Sequence, residues 1–244
     1  MKIEIAGRGN VATHLRRALA QAGHDVRTVN PHAPEDARRD CDILLLCVTD
    51  NAIAEVARAF AAVTSPETVM AHTSGSTPLS AIAGMKAHTG VFYPMQTFSK
   101  EVELEYSTIP FFIEGSDNAT AHLLLDTALG ISANSRLCSS EQRRVLHVAS
   151  VLCCNMTNHL WALADAYLRD NGLDFNSMLP LIRETVRKAG GARPADVQTG
   201  PASRGDTVTI ASHLEALSDY PEMKGIYQIL TESIKRHSHE RNKL

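Results

Sequence analysis

The chain has 244 residues, of which 44% are hydrophobic and 21% charged, with 24 Lys+Arg set against 27 Asp+Glu. That length suits one large domain or two small ones, each able to bury a core without metals or disulfides, so disordered, collagen-like and disulfide-scaffold classes are excluded. The net charge of -3 offers no basic surplus for nucleic acid or an anionic membrane surface.

The chain enters a short apolar strand, Ile3–Ala6, almost at once, so no secretory leader is expected. Gly7-Arg8-Gly9-Asn10 follows, and then Val11 to Gln21 with helical spacing and Gly23 as its stop. Val26–Val29 reads as a second strand. Ile43 to Val48 is a continuous apolar run, as expected for a parallel strand covered on both faces. Residues 51–62 are helical in pattern, 68–71 form another strand, and 90–93 and 110–113 read as later strands. The alternation predicts an α/β fold with a Rossmann-like, doubly wound parallel sheet.

From about residue 139 the pattern becomes all helical. Glu141 to Arg169 has no internal Gly or Pro and reads as one long helix. Phe175–Ala189, Val208–Leu217 and Tyr227–Arg236 follow as further helices, and Lys235 to Lys243 reads as a solvated helix end. The expected organisation is a dinucleotide-binding domain at 1–138 and an all-α C-terminal domain at 139–244. No stretch is long and apolar enough to suggest a membrane span. The five cysteines form no C-x-x-C pair, and Cys153-Cys154 reads as core thiols. The eleven histidines show no H-x-x-x-H spacing, so no metal site is expected. A reducing, cytoplasmic setting is the expectation.

Gly7-Arg8-Gly9-Asn10-Val11-Ala12 is a G-x-G-x-x-A motif between a strand and a helix, the context a dinucleotide fingerprint requires. Gly7 permits the tight turn, Gly9 lets a pyrophosphate approach the backbone, and Ala12 allows close helix–strand packing. The helix N-terminus holds the phosphates. An acid about 20 residues further on would bind the ribose hydroxyls of NAD. That position reads Val29-Asn30-Pro31-His32, so Asn30, His32 and Arg8 favour the 2′-phosphate of NADP over NAD. Val48 and Thr49, ending the third strand, should line the same crevice, with Asp50 as a helix cap.

Three further segments carry polar groups suited to chemistry. His72-Thr73-Ser74-Gly75-Ser76 ends a strand. His72 is a candidate proton donor, and Ser74 either contacts the cofactor or caps a turn. Tyr93-Pro94-Met95-Gln96 ends another strand, with Tyr93 and Gln96 as substrate contacts or packing groups. On the long helix, an advance of about 100° per residue places Arg144, His147, Val151, Asn155 and Asn158 on one stripe. Two readings stand for the stripe: His147, Asn155 and Asn158 face a nicotinamide pocket as catalytic and orienting groups, or they bond other helices. Arg204, in the loop 198–206, can bind an anionic substrate group.

On the residues 7–12, 72–76, 92–98, Leu146-His147 with 154–159, and 198–202, the sequence resembles the clan of pyrroline-5-carboxylate reductase, the deazaflavin-dependent NADP reductases and the 6-phosphogluconate dehydrogenase-like enzymes. Within it, the sequence is similar to an uncharacterised bacterial family joining a Rossmann-like domain to a helical domain of unknown function. The resemblance implies a nicotinamide dinucleotide, a small-molecule substrate and a homodimer formed through the helical domain. It departs from the hydroxyacid dehydrogenases at one point: Arg143, Arg144 and His147 stand where those enzymes carry a catalytic lysine. The expected function is that of an NADP-dependent oxidoreductase acting on a small polar carbonyl, imine or hydroxyl compound. The competing expectation is a dinucleotide-binding sensor or non-catalytic partner protein.

Overall fold

The computed structural model describes residues 1–241, so Asn242 and Lys243 of the expected solvated tail lie outside the described residues. The chain divides into two compact units, Met1–Met156 and a second from Thr157 onward.

The first unit is built on seven strands: β1 (Lys2–Ala6), β2 (Asp25–Val29), β3 (Ile43–Leu46), β4 (Val69–His72), β5 (Thr89–Pro94), β6 (Phe111–Gly115) and β7 (Ser135–Leu137). Their order across the sheet is β2-β1-β3-β4-β5-β6-β7. Helices α1 (Asn10–Gln21), α2 (Ile53–Ala61) and α3 (Asn118–Leu129) connect them. Successive strand residues point to opposite faces. Ile3, Ile5, Ile43 and Leu45 therefore enter one core layer with Leu15 and Leu19 of α1 and Leu124 of α3. Leu44, Leu46 and Met70 enter the other with Val56 and Phe60 of α2. The Rossmann-like, doubly wound character is as expected.

One pairing departs from the all-parallel expectation: β6 runs antiparallel to β5, while β7 returns parallel to β6. A parallel neighbour needs a crossover long enough to return along the sheet, usually a helix. Residues 95–110 contain only the short 3₁₀ turn Tyr106–Thr108. This segment forms a strap against α1. Asn10 Nδ2 donates to the Phe98 carbonyl at 2.8 Å, and Arg17 Nη1 to the Lys100 carbonyl at 3.0 Å. The fully buried His14 lies between them, with Nε2 2.8 Å from the Ser99 carbonyl and Nδ1 3.0 Å from Tyr106 Oη. Asn10, His14 and Arg17 are spaced four and three apart, one stripe of a helix.

The expected single long helix is interrupted. Helix α4 (Ser140–Ser150) gives way to a π-helical segment, Val151–Met156, and α5 (Thr157–Asp170) resumes the α form. Hydrogen bonds in a π segment run from i to i+5, so the steady angular advance of an α-helix does not hold across it. The stripe linking His147 to Asn155 and Asn158 was drawn with that advance. Cys153 and Cys154 lie in the π segment and are exposed, which corrects their reading as core thiols.

The second unit continues with α6 (Leu179–Gly191), α7 (Pro201–Arg204), α8 (Thr207–Ala216) and α9 (Pro221–Arg241). Gly190 and Gly191 complete α6 rather than break the chain before it ends. The expected 198–206 loop contains α7, followed by Gly205 at φ +71°. Asp206 caps α8 by accepting from the Thr209 amide at 3.0 Å. Within this unit, the His213 ring packs edge-on against Tyr227, with Nδ1 2.9 Å from its hydroxyl. No helix among the described residues is long and apolar enough to cross a membrane.

Candidate active site

The carboxyl ends of β1 to β4 open into a cleft of about 500 Å³. Gly7, Arg8, Gly9, Asn10 and Val11 form one wall, and Pro31 and His32 another. Cys47, Val48, Thr49 and Thr73 complete it. Gly7 has φ +153°, and a Cβ there would lie 2.3 Å from the Cys47 carbonyl oxygen, so β1 and β3 leave no room for a side chain. A Cβ on Gly9 would meet nothing within 4 Å, because Gly9 faces the open cleft. Gly9 also stands at the N-cap of α1, with no side-chain cap and no acid in the first turn. The first N–H groups of α1 are thus left to whatever anion the cleft receives. Ala12 is buried beneath the loop. Asn10 lines the cleft while its amide holds the Phe98 carbonyl. Asn30 forms a local turn, its Oδ1 accepting from the His32 amide at 3.2 Å. Burial pushes the Cys47 thiol up to about 12, so it is unreactive wall.

The turn after β4 is tightly bonded. Ser74 Oγ accepts from the amides of Ser76 and Thr77 at 3.2 and 2.9 Å. Ser74 is not among the residues lining the cleft. Ser76 Oγ donates to Asp50 Oδ2 at 2.5 Å, tying this turn to the end of β3. Asp50 therefore holds a neighbouring loop, and no side-chain cap is made where it stands. His72 Nδ1 accepts from the Ser74 amide at 3.2 Å. The His72 ring is wholly buried; that burial, and then the nearby Arg143 guanidinium, lower its pKa to about 4. It is neutral and closed to solvent, which is the environment of a turn-forming group rather than of a donor to a bound substrate.

Arg143 lies beneath this turn with none of its surface exposed. Its guanidinium donates to Glu114 Oε2 at 2.6 Å, to the Thr77 carbonyl at 2.7 Å and to Ser140 Oγ at 3.2 Å. One turn further along α4, His147 is half-buried, with Nδ1 3.2 Å from Tyr93 Oη and the two rings edge-on. Gly75 is the seat of this pair. A Cβ there would lie 2.6 Å from His147 Nδ1 and 2.7 Å from Tyr93 Cζ. Three segments chosen separately from the sequence, around His72, Tyr93 and His147, thus meet in the first unit. Gln96 is exposed, its Oε1 accepting from the Thr97 amide at 2.8 Å. Asn155, Asn158 and Arg204 are exposed.

Sequence reasoning gave Arg143 and Gly75 no part of their own and did not find the α1 stripe. Arg143 was overshadowed by Arg144, which is exposed. The signal was the capping box of Ser139 and Gln142, which fixes where α4 begins. It places Arg143 and His147 one helical turn apart on the same side.

The comparisons agree with this architecture. The model of the Domain of unknown function (DUF2520) matches residues 109–234. A provisionally named NADP oxidoreductase from Bacteroides fragilis is 36% identical over 96% of this chain and 98% of its own, with a TM-score of 0.90. The reductive aminase of Aspergillus terreus, solved with NADPH, is 15% identical over 98% and 94% of the two chains, with a TM-score of 0.69. The imine reductase of Streptomyces aurantiacus is 14% identical over 97% and 94%, with a TM-score of 0.67. The last two share the fold. No curated protein matches the sequence. With more than half of its length under the family model and a full-length relative at 36% identity, the chain belongs to the DUF2520 family.

Proposed function

We propose that this chain is an NADP-dependent oxidoreductase of small polar carbonyl, imine or hydroxyl compounds. One observation carries the reading. A single short turn joins two features: its Thr73 lines the glycine-loop cleft, and its Gly75 seats the Tyr93–His147 pair. Gly7, Gly9 and the start of α1 hold the pyrophosphate, with Val48 and Thr49 opposite. Arg8 and His32, with Asn30 beside the lining residue Pro31, would receive the 2′-phosphate, and no acid is among the residues lining the cleft. When bound, the nicotinamide supplies or accepts the hydride. His147 hydrogen-bonds the substrate's oxygen or nitrogen and protonates it, Tyr93 and Gln96 bound the substrate, and water is kept out by apolar neighbours such as Met95. The similarity to the Bacteroides fragilis protein supports the NADP assignment.

Calorimetric titration with NADPH and NADH tests this directly. NADPH is expected to bind at least tenfold more tightly. In a screen of small carbonyl and imine compounds, His147→Gln is expected to lower kcat by about 10²–10⁴ with NADPH affinity unchanged. Binding without turnover of any compound would favour the sensor reading, and binding of neither nucleotide would sink both.

We also read the chain as a homodimer working in a reducing, cytoplasmic setting. Val145 and Val148 on α4 and Leu152 and Met156 in the π segment are all more than half exposed. Four exposed apolar side chains within twelve residues call for a protein partner, and a second copy fits the resemblance to dimeric enzymes. Light scattering is expected to give twice the chain mass, and Val148→Asp to give monomers. A monomeric wild-type protein at micromolar concentration overturns the reading.

A further inference from the structure

We infer that Tyr93 is a positioning residue that sets the tautomer of His147: the phenol donates to Nδ1, so the imidazole carries its proton on Nε2, the nitrogen left for the substrate. The inference rests on the oxidoreductase reading for its catalytic consequence but not for the hydrogen bond itself. Tyr93 is buried, its ring stacked on Phe112 at 6.2 Å and its hydroxyl 3.2 Å from His147 Nδ1. A buried hydroxyl proton needs an acceptor. Burial also pushes the phenol up from its ordinary value, so the hydroxyl keeps its proton and can donate. The identity of the protonated nitrogen in a neutral imidazole follows from the bond made by the other. Gly75 fixes the geometry from below, because any Cβ there would separate the two rings.

The consequence is a short proton path. As negative charge develops on the substrate's oxygen or nitrogen, the His147 Nε2–H bond breaks and a new bond to that atom forms. The proton lost from Nε2 is replaced from solvent, while the Tyr93 phenol keeps its own proton and its bond to Nδ1.

The test is nitrogen-15 NMR of the full chain at pH 8, with the His147 signals identified by their loss in His147→Gln. Wild type is expected to show proton on Nε2, and Tyr93→Phe to show mixed or reversed tautomers. In turnover, Tyr93→Phe is expected to lower kcat by about 10–100-fold with KM for NADPH unchanged. Proton on Nδ1 in the wild-type protein overturns the inference, and that measurement stands even if the variant folds poorly. An unchanged tautomer in a folded Tyr93→Phe protein overturns it equally. Loss of the oxidoreductase reading is recognised separately, by absence of turnover with the expected tautomer intact.

Discussion

Gly7→Ala is expected to destroy NADPH binding and to weaken the fold together, whereas Gly9→Ala loses binding alone. The two glycines sit two residues apart in one loop, but their constraints differ. At Gly7 a methyl group would lie 2.3 Å from a backbone oxygen of β3, in a backbone conformation that L residues rarely adopt. Relief requires β1 and β3 to separate at the centre of the sheet, at a cost of about 2–4 kcal/mol. At Gly9 the methyl group has free space, so stability is expected to change by less than about 0.5 kcal/mol. It enters the space a pyrophosphate occupies, and affinity is expected to fall at least tenfold. Urea unfolding and NADPH titration of both variants check this. Equal loss of stability in the two would show that the loop is a structural turn and nothing more.

Arg143→Met is expected to destabilise the first unit by about 3–5 kcal/mol, the range for breaking one side of a buried ion pair. The loss leaves the Thr77 carbonyl without its donor and Glu114 without its countercharge, with Ser140 Oγ as the remaining donor to Glu114. Adding Glu114→Gln is expected to recover part of it, because the uncompensated charge is then gone. The effect should also depend on pH. His72 has a folded pKa of about 4 against an ordinary value of 6.5, so its contribution is complete above pH 6.5 and is lost as pH falls toward 4. Without Arg143 beside it, His72 protonates more easily and this acid-side loss shrinks. The gap between wild type and variant should therefore narrow from pH 7.5 to pH 5 in urea titrations. A pH-independent loss below about 1 kcal/mol would mean that Arg143 is a passive filler.

The nucleotide cleft was legible in the sequence because its constraints are local. A strand, two glycines and a helix start lie within ten residues, and each has a backbone reason to be where it is. The doubly wound character of the sheet followed from the same short-range alternation, whereas its strand order did not. What was not legible depends on long-range packing. β7 is polar, short and at the sheet edge, so Ser135–Leu137 shows no alternation. α3 carries apolar residues on most sides, although Asp117 accepting from the Thr120 amide marks its start. The antiparallel β6 left no local mark, because the connection between the parallel β4 and β5 also carries only a 3₁₀ turn. The π segment defeated the stripe argument, because nothing in Val151–Met156 announces a change of helical pitch. The burial of His72 was not legible, because it depends on neighbours distant in sequence, the flanking strands β3 and β5 among them. Tyr93 and His147 were each visible in the sequence as separate polar groups, but their contact was not, because they stand 54 residues apart.

The strap over α1 has a consequence for how this protein can change. Asn10, His14 and Arg17 hold three consecutive carbonyl oxygens, and His14 also bonds the Tyr106 hydroxyl and packs against the Phe98 ring. Away from Phe98 and Tyr106, such a main-chain grip is indifferent to which side chains stand in the strap. Gln96 and Thr97, just before the clamped carbonyls, can therefore be exchanged without loosening the strap. Such an arrangement keeps the strap against α1 whatever side chains stand at positions 96 and 97, so the cleft that Asn10 lines holds its shape through changes beside it.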